Sequence, residues 1–220
     1  DNDDAYVALG GLYHEQGRMA EAEQAFIKAM ELNVRNKDAL IELAWLYQAQ
    51  DRFGQAEAAF RRAVVIDPQD RGAVIGLGRM LYEQDKFKDA EAVFMQAMAM
   101  DPESDIPHLE SGWLYLRQNM LAEAEAAFRR AIALNPAGSN AHVGLGSVCR
   151  LRNEYAAAED AVVAALAINP KSDNAYQELG LICQAQSRHK DAQDAYRIAV
   201  RLNPQNDNAY VDMGYSLRAQ

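Results

Sequence analysis

The sequence is poor in cysteine. Cys149 and Cys183 are its only two, and they are separated by one period of a repeat described below. Equivalent helices of neighbouring repeats pack roughly 8 to 10 Å apart, whereas a disulfide needs Cα atoms within about 7 Å. We therefore expect two buried free thiols, which favour a reducing compartment. This indicates a cytoplasmic location, with the periplasm left open as an alternative.

Long apolar runs and positive charge are also lacking. The longest wholly apolar stretch, Ala161 to Ile168, is far shorter than the ~18 to 20 residues that cross a bilayer, so no membrane span is expected. Lys and Arg number 22 against 32 Asp and Glu, which gives a formal net charge of -10. Pairs such as Arg61 and Arg62 are too local to reverse that balance. Nucleic acid is therefore not an expected partner, because its phosphates demand basic patches.

The sequence shows no grouping that predicts catalysis or metal binding. Its four histidines are dispersed, and no Cys or His grouping has the spacing of metal ligands. No Ser, His and Asp grouping can be argued to converge. We expect no enzyme activity, no metal and no cofactor.

What the sequence does contain is an internal repeat with a period of about 34 residues. Five of its six prolines recur at this constant interval, each after Asp or Asn: Pro68, Pro102, Pro136, Pro170 and Pro204. Alanine recurs without exception at Ala22, Ala56, Ala90, Ala124, Ala158 and Ala192. Another series holds only Gly or Ala: Gly10, Ala44, Gly78, Gly112, Gly146, Gly180 and Gly214. A further series is bulky: Phe26, Phe60, Phe94, Phe128, Val162 and Tyr196.

These residues resemble the tetratricopeptide repeat family, whose signature runs Trp, two residues, Leu-Gly, two residues, Tyr, then Ala, three residues, Phe, and later Pro. The first unit matches this signature with Tyr6, Leu9, Gly10, Tyr13, Ala22 and Phe26, while Val34 replaces the proline. The resemblance covers essentially the whole chain and implies an all-α, right-handed solenoid of antiparallel helix pairs. The predicted array is a single domain over 1–220, with repeats at 3–36, 37–70, 71–104, 105–138, 139–172 and 173–206 and the first helix of a seventh at 207–220.

Each unit predicts a helix, a tight turn and a second helix. Apolar residues return twice at helical spacing, and a polar break such as residues 16–18 separates the two runs. The slots of Gly10 and Ala22 must be small because the two helices approach closely there, while Phe26 fills the space around the crossing. One hairpin cannot bury its apolar stripe alone, so each is expected to pack on the next.

Both ends of the sequence look cut from a longer array. Residues 1–7 align with residues 205–211, so the sequence begins at a repeat junction. The last predicted helix has no partner helix, although Met213 and Leu217 are ordinary core residues. Either the array continues beyond it, which we favour, or another chain covers that face.

Alternate repeats resemble each other more than adjacent repeats do, which indicates a second period of twice the length. The string AEAAFRRA, for example, occurs at both Ala56–Ala63 and Ala124–Ala131. In the tetratricopeptide family the first helices line the concave face, so the resemblance places a binding groove there. Along that face carboxylates alternate with Gly76 and Gly144, which we expect to leave gaps beside large aromatic residues. The candidate binding residues are Glu42, Trp45, Arg79, Tyr82, Glu110, Trp113, Arg117, Arg150, Glu178 and Tyr215.

We expect this groove to hold an extended or helical peptide with apolar and basic side chains, because aromatic residues dominate binding energy and carboxylates pair with cations. The alternative is that Trp45 and Trp113 pack between adjacent hairpins. A short asparagine series, Asn140, Asn174 and Asn208, could hydrogen-bond a ligand backbone, but capping of the helix that follows is the preferred interpretation.

The favoured function is a non-catalytic adaptor or scaffold, an inference that follows from the family resemblance. One alternative makes the repeats the recruiting arm of a larger enzyme, such as a glycosyltransferase, or of an envelope polysaccharide export machine. Another is self-assembly, in which Asp207 to Gln220 of one copy docks on the first hairpin of the next.

Overall fold

The computed structural model describes residues 2–218, with side chains as far as residue 216. This part of the chain consists of α-helices joined by short connections. The helices are α1 (Asn2–Glu15), α2 (Met19–Leu32), α3 (Lys37–Gln48), α4 (Phe53–Ile66), α5 (Arg71–Glu83), α6 (Phe87–Met100), α7 (Ile106–Arg117), α8 (Leu121–Leu134), α9 (Ser139–Leu151), α10 (Tyr155–Ile168), α11 (Asp173–Ala185), α12 (His189–Leu202) and α13 (Asp207–Arg218). The expected core side chain of Leu217 lies outside the described residues.

The chain divides into two compact units, Asp1–Pro102 and Glu103–Gln220. In the first unit α1 packs on α2, α3 on α4 and α5 on α6, and each pair also contacts the next pair. In the second unit α7 packs on α8, α9 on α10 and α11 on α12, while α13 packs on α12. The expected all-α class and its helix pairs are confirmed. The division of the whole chain into one continuous array stays a prediction.

Each hairpin closes around a small residue that faces a large side chain. A Cβ atom added to Gly78 would lie 2.4 Å from Cε1 of Phe94, far closer than a real Cβ contact. Phe94 is 1% exposed, so its ring has no room to retreat into solvent. The same relation joins Gly10 to Phe26, Gly112 to Phe128, Gly146 to Val162 and Gly180 to Tyr196. The small residue is required because the ring or branched side chain occupies its space.

The turn inside each hairpin contains one residue in the left-handed region of φ. The φ angles are 72° at Gly17, 57° at Asp51, 58° at Asp85, 59° at Asn119, 62° at Asn153 and 60° at Ser187. Gly, Asn and Asp reach this region at lower cost than other residues. This explains why small polar residues recur at the break between the two helices.

The prediction that Asn140, Asn174 and Asn208 cap helices is wrong. All three lie inside helices, because α9, α11 and α13 begin at Ser139, Asp173 and Asp207. An N-cap residue must stand just outside the helix, where its side chain can accept a bond from the first turn. The caps are two positions earlier in the repeat: the side chains of Asn36, Asp70, Ser172 and Asn206 accept hydrogen bonds from the N–H groups of Ala39, Ala73, Ala175 and Ala209.

A polar junction ties the start of one hairpin to the start of the next. Asp3 at the beginning of α1 accepts hydrogen bonds from Asn33 (2.8 Å) and Asn36 (3.0 Å) at the entrance to α3. Asp173 accepts equivalent bonds from Asn203 and Asn206 before α13. The two bonds of Asp3 join residues 30 and 33 positions apart. Each junction therefore spans almost a whole repeat.

In the second repeat the junction has the same geometry, but a basic residue stands at the start of the hairpin and acidic residues stand at the entrance to the next one. Here Lys37 takes the place of the acid, and its Nζ lies 2.8 Å from a carboxylate oxygen of both Asp67 and Asp70. Arg71 pairs with Asp101 in the same way, whereas Asp105 accepts from Asn135. An acidic first residue therefore meets Asn, and a basic one meets Asp.

Replacing Lys37 by Asp is expected to lower the melting temperature by a few degrees. The change places a third carboxylate against Asp67 and Asp70 and removes their shared cation, so like charges repel at a partly buried site. Adding Asp67→Asn and Asp70→Asn should restore the melting temperature, because the triple variant reproduces the junction at Asp3. A triple variant that melts below Lys37→Asp would contradict the pairing rule.

The junction also predicts how stability depends on pH. The Lys37 ammonium holds the pKa of Asp67 below its usual value, and hydrogen bonds from Asn33 and Asn36 hold the pKa of Asp3 below its usual value. Each lowered pKa stabilises the fold at pH values above the unfolded pKa of about 4 and loses that effect as pH falls through the folded pKa. We expect the free energy of unfolding to be nearly flat from neutral pH to about pH 5 and to fall below about pH 4.

Urea titrations across that range test the pH dependence, with Lys37→Met as the control. Removing the cation takes away the main cause of the lowered pKa of Asp67. The variant should therefore lose less stability on acidification than the unchanged protein does. Equal acid sensitivity in both proteins would contradict the assignment.

Both cysteines are free and buried, as expected from their spacing. Burial raises the pKa of the Cys149 and Cys183 thiols, which keeps them protonated near neutral pH. Among the helices described between residues 2 and 218, none is long and apolar enough to cross a membrane.

Candidate functional site

Two candidate residues of the first unit, Glu42 and Trp45, share one face of α3. They stand three positions apart, so their side chains leave the helix on the same side. Trp45 is half-buried, and its ring meets Phe60 of α4 edge-on, with ring centroids 4.7 Å apart. The Glu42 carboxylate makes no hydrogen bond or ion pair with any other residue from 2 to 218, and it too is half-buried. This face therefore combines an indole ring that packs on Phe60 with a carboxylate that has no partner among the described residues.

Arg79 and Tyr82 are placed on α5 with the same spacing of three residues. Both side chains are half-buried. The ring of Tyr82 lies 6.5 Å from that of Phe87 at the start of α6, so the second helix of the same hairpin supports it. Each of these first helices therefore carries one aromatic residue beside one charged residue.

The expected glycine gap at Gly76 is not present. Gly76 is buried, and a Cβ added there would lie 2.5 Å from both Cε1 and Cζ of Phe60. The ring of Phe60 fills the space that the alternating pattern predicted to be open. Glu42, at the equivalent position of the preceding hairpin, carries a full side chain instead. The hairpin before Glu42 has the equivalent Phe26 but Gly11 in place of Trp45, so the difference coincides with the tryptophan that packs against the ring of Phe60.

The second unit repeats this arrangement around Trp113, and Gly144 is likewise no gap. The rings of Trp113 and Phe128 have centroids 5.0 Å apart, and a Cβ on Gly144 would lie 2.4 Å from Cε1 and Cζ of Phe128. Trp113 also packs against a core cluster of the following hairpins that includes Val143. The longer sequence period therefore corresponds to a packing unit of Trp, Phe and Gly that occurs once in every two repeats. For Trp113 the structure shows the packing between hairpins that was the alternative interpretation.

Arg150 and Glu178 are brought into direct contact in the second unit. Nε of Arg150 on α9 donates to Oε1 of Glu178 on α11 at 2.5 Å, and the Glu178 side chain is only 7% exposed. One position away, Gln177 donates to Asp212 of α13 at 2.8 Å. Successive first helices of this unit are therefore linked by polar contacts that occupy the carboxylates of Glu178 and Asp212.

The remaining candidates of the second unit differ in exposure. Glu110 is half-buried, Arg117 is exposed and Tyr215 is 59% exposed. Tyr215 stands on α13 beside Gly214, where an added Cβ would meet no atom of the described residues within 4 Å, unlike at the glycines that face a ring. From residue 2 to residue 218 no group of three or more His, Cys, Asp or Glu side chains is arranged to hold a metal ion.

The bulky series contributes to this face in a way that its spacing does not predict. The spacing of Phe60 and Phe128 indicates only the crossing inside their own hairpins, yet both also support a tryptophan and fill the space at a glycine of the next hairpin. The sequence does hold one sign of this packing, because Trp and Gly occur together in alternate repeats. The partner of each glycine could not be read from its spacing.

Comparisons with known sequences decide the family. Tetratricopeptide repeat profiles match residues 3–69, 41–105, 81–133, 109–173 and 173–206. The chain belongs to the tetratricopeptide repeat family. Among curated proteins, none matches its sequence.

Solved structures show the same tetratricopeptide fold at low sequence identity. A tetratricopeptide repeat protein from Parabacteroides merdae is 18% identical with a TM-score of 0.88, over 98% of this chain and 84% of that one. PilW, a type IV pilus biogenesis factor, is 19% identical with a TM-score of 0.81, over 99% of both chains. A chain of the APC/C hetero-tetramer Cut9-Hcn1 is 18% identical with a TM-score of 0.80 over 98% of this chain, which spans only 43% of that one.

Tetratricopeptide arrays generally mediate interactions between proteins and are typically non-catalytic scaffolds. This general role is the one that the family carries to this chain. The likeness to the solved structures, at such low identity, shows the fold alone.

Proposed function

We propose that this tetratricopeptide protein is a non-catalytic scaffold whose first helices bind a peptide segment or partner helix with apolar and basic side chains. The observation that carries the proposal is the pair formed by Trp45 and Glu42 on α3. Trp45 offers a rigid aromatic surface held in place by Phe60, and Glu42 offers a carboxylate that no other described residue occupies.

The energetics of protein interfaces support this choice of residues. Tryptophan is enriched among the few side chains that dominate binding energy, because a large apolar ring is buried at little cost in conformational entropy. A half-buried carboxylate with no internal partner gains a charge-assisted hydrogen bond from a Lys or Arg of the ligand. Tyr82 adds a second aromatic surface on α5, supported by the ring of Phe87.

In the second unit the corresponding charges are assigned a different role. Glu178 is nearly buried and already paired with Arg150, so binding a cation there would first break an internal ion pair, which is costly at a buried site. Glu110, which stands beside Trp113 as Glu42 stands beside Trp45, already has an interaction partner. Recognition is therefore assigned to Glu42 and Trp45 in the first unit.

Tryptophan fluorescence tests this assignment, because the chain has only two tryptophans. Trp113→Phe leaves Trp45 as the single reporter. Titration with a synthetic amphipathic peptide of Leu, Lys and Ala should shift its emission, and a peptide with Glu in place of Lys should not. Adding Glu42→Gln should weaken binding about tenfold, equivalent to about 1.4 kcal/mol.

The matched control for Glu42→Gln is Asp51→Asn, which removes the same charge from the turn of the same hairpin. Asp51 is exposed and has a left-handed φ that Asn also adopts. If Asp51→Asn weakens binding as much as Glu42→Gln, attraction depends on net charge and the assigned site is wrong. An unshifted Trp45 emission at saturating peptide would also exclude the site.

A further inference from the structure

An open depression of about 540 Å³ lies on α4 and the connection between α2 and α3. It belongs entirely to the first unit and involves a second helix, so it is separate from the residues assigned to the first-helix site. Its lining includes Val34, Arg35, Arg61, Arg62, Val65 and Ile66. The depression therefore combines three cations with three branched apolar side chains.

The apolar residues of this depression are exposed beyond what the repeat requires. Val34 is 68% exposed and Val65 is 76% exposed. Val34 stands where each later repeat has proline. Val65 stands where the other repeats have Glu31, Ala99, Ala133, Ala167 and Arg201. Neither valine is needed to form the hairpin, because the repeats that lack it fold in the same way.

Two of the three arginines have no partner among the described residues. Arg61 is held by Glu57 at 2.5 Å, and Glu57 is also bound by Lys86. By contrast, the guanidinium groups of Arg35 and Arg62 make no hydrogen bond or ion pair with any residue from 2 to 218. In a chain with a net charge of -10, two uncommitted cations beside exposed valines form a local site of opposite charge.

We propose that this depression is a second docking site, which binds an acidic peptide segment with carboxylates on either side of an apolar side chain. Charge complementarity selects the carboxylates, because Arg pairs with them through two parallel hydrogen bonds. Val34, Val65 and Ile66 provide the surface against which the apolar side chain packs.

The charge pattern favours a peptide over other anionic partners. Basic segments that bind anionic lipid typically contain about 4 to 8 clustered Lys or Arg, whereas this depression has three arginines, one of which is already paired with Glu57. Nucleic acid is disfavoured for the same reason, since each phosphate contact requires a cation. A short acidic segment needs only the cations present here. The site therefore selects a ligand of opposite charge to the one proposed for Glu42 and Trp45.

Fluorescence anisotropy of a labelled amphipathic peptide of Leu, Glu and Ala tests the proposal. The peptide should bind the full chain. Arg62→Ser should weaken that binding about tenfold, as expected when a central charged contact is removed, and should leave binding of the matched Lys peptide unchanged. Val65→Glu should abolish binding of the Glu peptide, because it places a like charge at the apolar surface.

The chain supplies its own control, because AEAAFRRA occurs in both α4 and α8. Arg130 is the counterpart of Arg62, but Ala133 stands where α4 has Val65. Arg130→Ser and Ala133→Glu should leave binding unchanged. If they weaken it as much as the α4 variants do, binding reflects diffuse charge and the proposal is overturned.

Two other outcomes would also overturn the proposal. One is sedimentation with vesicles of phosphatidylserine and phosphatidylcholine that depends on Arg62, in the absence of peptide binding. The other is concentration-dependent dimer formation that Val65→Glu abolishes, again without peptide binding. Circular dichroism melts of each variant check that the fold is kept. Failure here leaves the first-helix proposal untouched, because that site is tested with the Lys peptide and Trp45 emission.

Discussion

Phe128→Ala is expected to lower the free energy of unfolding by about 3 to 5 kcal/mol, the range found when a fully buried aromatic side chain is truncated. Phe128 is 0% exposed and fills three spaces at once, beside Gly112, Gly144 and Trp113. Truncation opens a cavity that joins two hairpins. Because neither glycine has a side chain to move inward, the cavity stays open on those two sides.

Urea unfolding followed by circular dichroism measures this loss. Val163→Ala is the control, since Val163 is 58% exposed on α10 of the same unit and surface truncations usually change stability by less than about 0.5 kcal/mol. A loss for Phe128→Ala as small as that of the control would show that the ring is not the common support of the two hairpins.

Gly144→Ala is expected to destabilise the protein by about 1 to 3 kcal/mol, as overpacking of a close contact does. The new Cβ would lie 2.4 Å from two ring carbons of Phe128. The ring cannot rotate away, because Gly112 confines it on one side and Trp113 on the other. This loss should appear even though alanine favours a helix over glycine by roughly 1 kcal/mol.

Two comparisons separate the clash from a general effect of the substitution. Gly11→Ala should be neutral or stabilising, because no atom of the described residues lies within 4 Å of a Cβ at Gly11. In a Trp113→Ser background, Gly144→Ala should cost less, because the ring of Phe128 gains room to shift. An equal cost in both backgrounds would contradict the coupling of Trp113, Phe128 and Gly144.

The fold was predictable because it depends on side-chain size at fixed intervals. The series that contain Gly78 and Phe94 predict one small and one large partner at each helix crossing, and the ring of Phe94 does occupy the space where a Cβ of residue 78 would stand. Size alone does not say which neighbour fills a space. This is why Gly76, expected to be a gap, is instead covered by Phe60.

The polar junctions were not predictable from repetition. Asp3 with Asn33 and Lys37 with Asp67 have the same geometry but different residue types, so no single residue recurs with the period. The rule is visible only when the two positions are compared as a pair. The ion pair of Arg150 with Glu178 was missed for the same reason, since repetition shows each position alone and not its partner.

Hydrogen exchange measured with and without the Leu, Lys and Ala peptide locates the bound peptide helix by helix. We expect slower exchange in α3 and α5 of the first unit, centred on Glu42, Trp45 and Tyr82, and weaker protection of both helices in Glu42→Gln at a subsaturating peptide concentration. Protection confined to the second helices α2, α4 and α6, with α3 and α5 unchanged at saturating peptide, would contradict this expectation.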